Sequence, residues 1–422
     1  MNMDLIEIGK RAKTASRDVA VLKAEEKNAV LRACADALLI KKEAIISANE
    51  EDIRRGQANG MPENLQDRLM LNDDRIKAMA EGLLEMMELP DPVGEVISSV
   101  ERPNGLVIEK KRVPIGVLGI IYEARPNVTT DAFGLCFKSG NAVVLKGGSD
   151  AIESNKAIVS VLRAAIEKCG VNPDALLLIE DTSRETTREF MRLNGYIDVL
   201  IPRGSAGLIK TVVENSTVPV IETGSGNCHV YVERSADIEI AKSILVNAKT
   251  QRNSVCNACE SLLVDRAIAD KALPVLAEAL AEYDVELRCD EEAYAILDGK
   301  IPADLLVMGT EEDWGTEFLS NIISVNIVDG LDSAINHINK YNTGHSETIV
   351  TNDATSAEEF LNRVDAACVY VNASTRFTDG FEFGFGGEIG ISTQKLHARG
   401  PMGLPELTSY KYIVRGTGQT RG

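Results

Sequence analysis

Two cysteines stand three positions apart in RNSVCNACESLLV, Arg252 to Val264. Thiols at that spacing could form half of a zinc site, a redox pair, or one nucleophile beside a bystander. A structural zinc needs a second pair of Cys or His ligands at short spacing. The four histidines, His229, His337, His345 and His397, offer nothing of that kind beyond His229 next to Cys228. A redox CxxC normally opens a helix that follows a strand, whereas here an apolar strand-like run follows. One nucleophile and one bystander is the reading that remains. The thiolate is the reactive form, and it needs cations or backbone N–H groups at a partly exposed position. Cys256 follows the polar loop KTQRNS and precedes ESLLVD, a junction whose backbone donors could serve as an oxyanion hole. On these grounds alone a small buried hydrophobe fits Cys256 equally well.

Anion chemistry has three candidate segments. VVLKGGSD ends a strand-like run in Lys146, followed by Gly147, Gly148 and Ser149, where a lysine and a hydroxyl could meet a ribose phosphate. IPRGSAGL places Arg203, Gly204 and Ser205 between strand and helix, with N–H groups available to a pyrophosphate. Either turn could equally be a plain connection, and no G-x-G-x-x-G opens a helix after a strand. QKLHARG sets Lys395, His397 and Arg399 within five positions. Against 64 acidic and 45 basic residues and a formal charge of −19, that cluster reads as a local pocket for an anion or as a solvated basic loop. The histidines read as loop or strand-edge residues near the candidate site, and a lone His is more often structural than catalytic.

These residues need a scaffold, and at 422 residues the chain exceeds a single core. The acidic balance excludes general nucleic-acid binding, and the absence of a long apolar run excludes a membrane span. The polar start MNMDLIEIGKRAK does not resemble a signal peptide. Eight cysteines without framework spacing suit reduced thiols, so a cytoplasmic enzyme is expected. The first hundred residues read as helices, with Leu31, Ala35, Leu38 and Leu39 on one face and Gly56 and Gly60 as interruptions. Asn104-Gly105 in VERPNGLVIEKKRV predicts a two-residue hairpin turn. GVLGII, NAVVLK, ALLLIE, YIDVLIP and VPVIET then alternate with helical segments such as AIESNKAIVSVLRAAIEKCG, which Gly170 caps. A second series runs from CHVYVE to CVYVNA. The expectation is α/β, two doubly wound domains meeting near 222–230.

Taken together, VPIGVLGIIYEARPNVTTDAF, SGNAVVLKGGSDAIESN, VPVIETGSGNCHVYV, SVCNACESLLV, AINHINKYNTGHSETIV and EIGISTQKLHARGPMGL resemble the glutamate-5-semialdehyde dehydrogenases of the aldehyde dehydrogenase superfamily. The resemblance runs almost end to end. It implies an aldehyde dehydrogenase-like fold with 1–98 and 113–224 as an NADP-binding Rossmann-like domain and 225–404 as the catalytic domain. Segments 99–112 and 405–416 would form a β oligomerisation element, the hairpin pairing with SYKYIV across subunits of a homo-oligomer. The implied reaction is NADPH-dependent reduction of L-glutamyl 5-phosphate to glutamate 5-semialdehyde with release of phosphate, in proline synthesis from glutamate. A glutamate kinase would supply the unstable substrate.

By the same resemblance Cys256 is the nucleophile, Glu222 falls on the superfamily's water-activating glutamate, and Asn127 joins the backbone in holding the oxyanion. Lys146 binds the adenosine ribose, with Gly147 and Ser149 beside it, and Arg203, Gly204 and Ser205 serve the pyrophosphate. Ser149 stands where NAD-users often carry a glutamate, and its neutrality favours NADPH. Glu317 holds the nicotinamide ribose. Lys395, His397 and Arg399, with His345, take the substrate's carboxylate and phosphate; no metal is implied. Asn253 replaces a usual proline, an exchange expected to loosen the Cys256 loop, and Cys259 and Asn342 also depart from the family pattern. The competing readings are a hydrolytic NAD(P)-dependent aldehyde dehydrogenase using Glu222, a thiol-based redox sensor or scaffold, and a structural metal protein.

Overall fold

The structure, a computed structural model, describes residues 4–421. The chain divides into two compact units, one up to Thr223 with Gly384–Gly390 and the segment from Met402, the other Gly224–Phe383 with Ile391–Pro401. Residues 384–390 and 402–404, expected in the second domain, thus belong to the first unit.

Five helices open the first unit: α1 (Leu5–Val19), α2 (Ala24–Ile40), α3 (Lys42–Ala58), α4 (Glu63–Leu69) and α5 (Asp73–Glu88). Leu31, Ala35 and Leu38 of α2 are fully buried, but Leu39 is 42% exposed. Eight positions after Leu31, the helix has turned it about 80° off the buried face. Strands β1 (Val96–Glu101) and β2 (Val107–Pro114) pair antiparallel. Their turn has three residues rather than two: Gly105 N donates to Arg102 O, and Arg102 N to Leu106 O, each at 2.8 Å. Pro103 suits the second position of a type I turn, which leaves Gly105, at φ 84°, to take the left-handed position that closes the loop.

The first parallel sheet is built from β3 (Val117–Tyr122), α6 (Asn127–Lys138), β4 (Ala142–Lys146), α7 (Ile152–Lys168), β5 (Leu176–Leu178), α8 (Arg184–Phe190), β6 (Val199–Arg203) and α9 (Ala206–Asn215), with strand order β5-β4-β3-β6. Every residue of β3 and β4 is buried, as helices on both faces require. VPVIET makes only a bridge between Val220 and Leu200. Pro219 has no N–H to give a ladder, so the fifth expected strand does not form.

The second unit strings together β7 (Cys228–Val232), α10 (Ile238–Thr250), β8 (Cys259–Asp265), α11 (Ala269–Ala281), β9 (Glu286–Cys289), α12 (Glu291–Leu297), β10 (Leu306–Met308), β11 (Ile322–Val328), α13 (Gly330–Tyr341), β12 (Ser346–Val350), α14 (Ala354–Arg363) and β13 (Cys368–Val371). Its sheet is parallel, in the order β10-β9-β11-β8-β7-β12-β13. A short antiparallel pair follows, β14 (Ile391–Ser392) with β15 (Gly400–Pro401). Back in the first unit, β16 (Thr408–Arg415) pairs with β2 along its whole length. The hairpin and the C-terminal strand therefore join within one chain, not across subunits.

One buried ion pair stands at the neck of the Cys256 loop. Lys249, at the end of α10, donates to Glu260 Oε2 of β8 at 2.5 Å with both side chains fully buried, and the other oxygen of Glu260 accepts from Leu319 N at 3.1 Å. Removing one partner strands a buried charge. Lys249→Ala is expected to lower stability by about 3–5 kcal/mol in denaturant unfolding, and Lys249→Met with Glu260→Leu to recover most of that loss.

Candidate active site

Cys256 lies on the loop between α10 and β8, at the amino ends of the parallel strands, and it is half-buried. Six other thiols are buried, and Cys169, the one fully exposed thiol, caps α7 in the first unit. Burial pushes Cys259 and Cys289 up to about 12 and Cys228 well above the ordinary thiol range. Cys259 begins β8 and is fully buried, so the two cysteines of the opening stretch have different environments.

The Cys256 backbone is held from three directions. Gly226 lies so close that a Cβ there would sit 1.4 Å from the Cys256 carbonyl oxygen. Gly226 N in turn donates to Glu317 Oε1 at 2.7 Å. The Cys228 thiol donates to the Cys256 carbonyl at 3.3 Å and lies 3.7 Å from His345 Nδ1. A buried chain of short polar contacts continues to Ser346 Oγ (2.8 Å), Thr378 Oγ1 (2.6 Å) and Tyr370 OH (2.7 Å). Asn257, next to Cys256, donates to Thr378 O at 2.9 Å and accepts at its own carbonyl from Thr375 Oγ1 at 2.8 Å. Arg376 donates to the Asn257 side-chain oxygen. The Asn253 amide donates to Asn321 Oδ1 at 2.5 Å, one tie from the Cys256 loop to the segment before β11.

Glu317 spends one carboxylate oxygen on Gly226 N, and burial raises its pKa. Asn342 ends α13 and accepts from Gly344 N at 3.1 Å. His345 is fully buried, with its pKa lowered to about 4 by burial. It stands behind Cys228 with no surface exposed to a substrate, which differs from the expected contact. Nor do His229 and His337 lie at loops or strand edges. His229 is inside β7, bonded through Nδ1 to Glu347 Oε2 at 2.9 Å, and His337 is in α13.

The basic cluster is also different from expectation. Lys395 Nζ and Arg399 Nη2 both donate to Asp365, at 2.5 and 2.6 Å, and they hold its carboxyl below the usual range. His397 sits between them on exposed backbone at φ 70°. The three do not form an open cationic pocket, because one carboxylate satisfies two of them.

In the first unit, Lys146, Glu123 and Arg203 lie at the carboxyl ends of β4, β3 and β6, the edge where open parallel sheets bind nucleotides. Lys146 is buried, its pKa lowered mainly by burial, and among the described residues its Nζ donates only to the Gly147 carbonyl, at 3.2 Å. A buried ammonium with a single neutral partner suits a polar ligand such as a ribose. A Cβ on Gly147 would meet Asn155 at 2.5 Å, so that turn has no room for a side chain. Ser149 is exposed at the following turn. The Arg203-Gly204-Ser205 turn departs from expectation: Ser205 N and Oγ both donate to the Glu123 carboxylate at 2.8 Å. The anion on that turn is internal, and a pyrophosphate would have to displace it. Asn127 opens α6 with its amide on Asp131 at 2.9 Å, and burial raises Asp131 to about 6. Glu222 is half-buried in the bridge segment that precedes Gly224.

Sequence reasoning passed over Gly226, Cys228, Thr375, Arg376 and Thr378. Their role comes from contact through space with a loop far away in sequence, which no local pattern encodes. Gly226 gives the sharpest check. Gly226→Ala is expected to displace the Cys256 backbone and lower kcat about a hundredfold, whereas Gly82→Ala, in open space on α5, leaves kcat unchanged and stabilises the helix by about 0.5–1 kcal/mol.

A family model for the aldehyde dehydrogenase family matches residues 2–295 and 310–413. A gamma-glutamyl phosphate reductase of Agathobacter rectalis is 58% identical over 418 residues, 99% of each chain. Another, of Enterococcus faecalis, is 54% identical over 418 residues, again 99% of each. The crystal structure of the gamma-glutamyl phosphate reductase of Thermotoga maritima is 47% identical, covers 100% of both chains and superimposes with a TM-score of 0.97. An acetylating aldehyde dehydrogenase of Geobacillus thermoglucosidasius, at 18% identity and a TM-score of 0.69 over 99% of this chain and 97% of its own, shares the fold. The chain belongs to the aldehyde dehydrogenase family, on its gamma-glutamyl phosphate reductase branch.

Proposed function

We propose that this chain reduces L-glutamyl 5-phosphate to L-glutamate 5-semialdehyde, releasing inorganic phosphate, in the synthesis of proline from glutamate. The observation that carries the reading is the half-exposed Cys256, its flanking backbone pinned by Gly226, Cys228 and Asn257, in a chain whose relatives bear that name. The Cys256 sulfur forms a bond to the acyl carbon, the bond from that carbon to the phosphate oxygen breaks, and phosphate leaves. Reduction of the thioester gives a hemithioacetal, and its collapse frees the aldehyde and regenerates the thiol. Covalent capture suits an acyl phosphate, which is reactive but labile in water. Holding the Cys256 carbonyl and Asn257 in place aims the loop's backbone N–H groups at the developing oxyanion. Glu222 serves structure or proton handling, since a reductase gains nothing from activating water against its own thioester.

The nicotinamide nucleotide supplies the hydride when bound. Lys146, Gly147 and Ser149 are the residues of this chain that would hold its adenosine ribose, and Glu317 its nicotinamide ribose. We read NADPH as the form used, because the neutral, exposed Ser149 leaves a 2′-phosphate unopposed. Lys395, His397 and Arg399 remain candidates for the substrate's carboxylate, on the condition that Asp365 yields. No described helix is long and apolar enough to cross a membrane, and eight free thiols suit the reducing cytoplasm. A homo-oligomer is supported by the β1-β2-β16 sheet, which leaves Val96, Val100, Tyr412 and Val414 about half exposed or more. Docking of a glutamate kinase would protect the labile substrate in transit.

With glutamate semialdehyde and NADP, oxidation by the wild type should require inorganic phosphate. Cys256→Ala abolishes it and Cys259→Ala retains most of it; phosphate-independent oxidation to the free acid would establish the hydrolytic alternative. Ser149→Glu is expected to raise the Kd for NADPH about tenfold through like-charge repulsion and to leave NADH binding little changed. Direct binding titration with both nucleotides checks this.

A further inference from the structure

Two cations flank the Cys256 loop with no carboxylate within ion-pair distance among the described residues. Arg376 is half-buried, and its bonds run to neutral groups only, from Nε to Gln251 Oε1 at 2.9 Å and from Nη1 to Asn257 Oδ1. Its Nη2 makes no hydrogen bond among the described residues. Arg252, four positions before Cys256, is exposed and makes neither a hydrogen bond nor an ion pair among the described residues. The two repel: burial and then Arg252 lower the Arg376 pKa, while Asp379 and the Cys256 thiol act against the lowering. In a chain of net charge −19, carboxylates are abundant, and Asp365 already takes both Lys395 and Arg399. Among the described residues, Arg376 has none within ion-pair distance. A guanidinium tied to the residue adjoining the nucleophile, with a free N–H edge and a second arginine close by, matches an anion that arrives with the substrate.

Resting on the reaction proposed above, we infer that Arg376, assisted by Arg252, binds the phosphate group of the acyl phosphate and receives it as it leaves. In the forward direction the carbon–oxygen bond to phosphate breaks as the sulfur–carbon bond forms, and the departing dianion stays paired with the guanidinium. In reverse, inorganic phosphate bound there attacks the thioester carbon through oxygen, and the Cys256 thiolate leaves. Arg376 thus acts on the phosphate half of the reaction and not on hydride transfer.

The test uses the full-length enzyme in the reverse direction with glutamate semialdehyde, NADP and inorganic phosphate. Arg376→Gln should raise the KM for phosphate about tenfold or more while the pre-steady-state burst of NADPH, which precedes phosphate attack, persists. Arg376→Lys should recover part of the phosphate affinity. Independently of turnover, inorganic phosphate should slow alkylation of Cys256 in the wild type and not in Arg376→Gln. An unchanged phosphate KM, or phosphate protection that survives in Arg376→Gln, overturns the proposal. So does loss of the burst together with phosphate affinity, since that pattern marks Arg376 as a prop for Asn257. Failure of the reaction itself is separate, and would appear as phosphate-independent turnover of the wild type.

Discussion

The Lys249–Glu260 ion pair closes the neck of the loop that carries Cys256, and the chemistry of the second unit depends on that closure. The two residues bracket the loop on either side, one at the end of α10 and one in β8. Fully buried, the pair gains little net stability over two apolar side chains, because desolvation offsets most of the Coulomb attraction. Its value is geometric. A charged pair has one satisfactory arrangement, in which burial drives Glu260 up to about 7 while Lys249 draws it down. Leucine in the same place would pack in several ways. The loop therefore leaves the helix and enters the strand at fixed points, and everything between them is determined by shorter contacts.

Those contacts leave a single thiol of the second unit partly open to solvent. The segments that enter β7, β8 and β12 meet at the amino ends of the parallel strands, and the one before β7 returns along the Cys256 loop with a glycine where a side chain would collide. Cys228, His345, Ser346, Thr378 and Tyr370 form a buried polar chain that ends on the Cys256 carbonyl. Their burial keeps the histidine neutral and the second thiol protonated. The same low dielectric that silences Cys228 and Cys259 leaves the half-exposed Cys256 as the thiol of the second unit that can meet an electrophile.

Much of this was legible along the chain. The apolar run after Cys259 marks a strand, so Cys259 points inward and Cys256 stays on the loop. The β-branched runs of both sheets, and Gly170 as the cap of α7, follow local rules of period and turn chemistry. The misreadings share a cause. Pro103 altered the turn at Asn104-Gly105, and Pro219 left VPVIET without a ladder, both local effects outweighed by a stronger apparent signal. Asp365 on Lys395 and Arg399, Glu123 on Ser205 and Arg376 on Asn257 are different. They are pairings between segments distant in sequence, and charge counting within a window cannot detect them. The basic run QKLHARG stood out because its charges are adjacent, whereas Arg376, alone in STRFTDG, did not.

The central claim is that the acyl group resides on the Cys256 sulfur. Its most direct test is to mix the full-length enzyme with glutamate semialdehyde and NADP without phosphate, quench in acid, and map the adduct by peptide mass spectrometry. The account predicts a glutamyl thioester on the peptide containing Cys256, located at that residue and removed by added phosphate with release of an acyl phosphate. An adduct on Cys228 or Cys259, or NADPH formed with no acyl adduct anywhere on the chain, would contradict it.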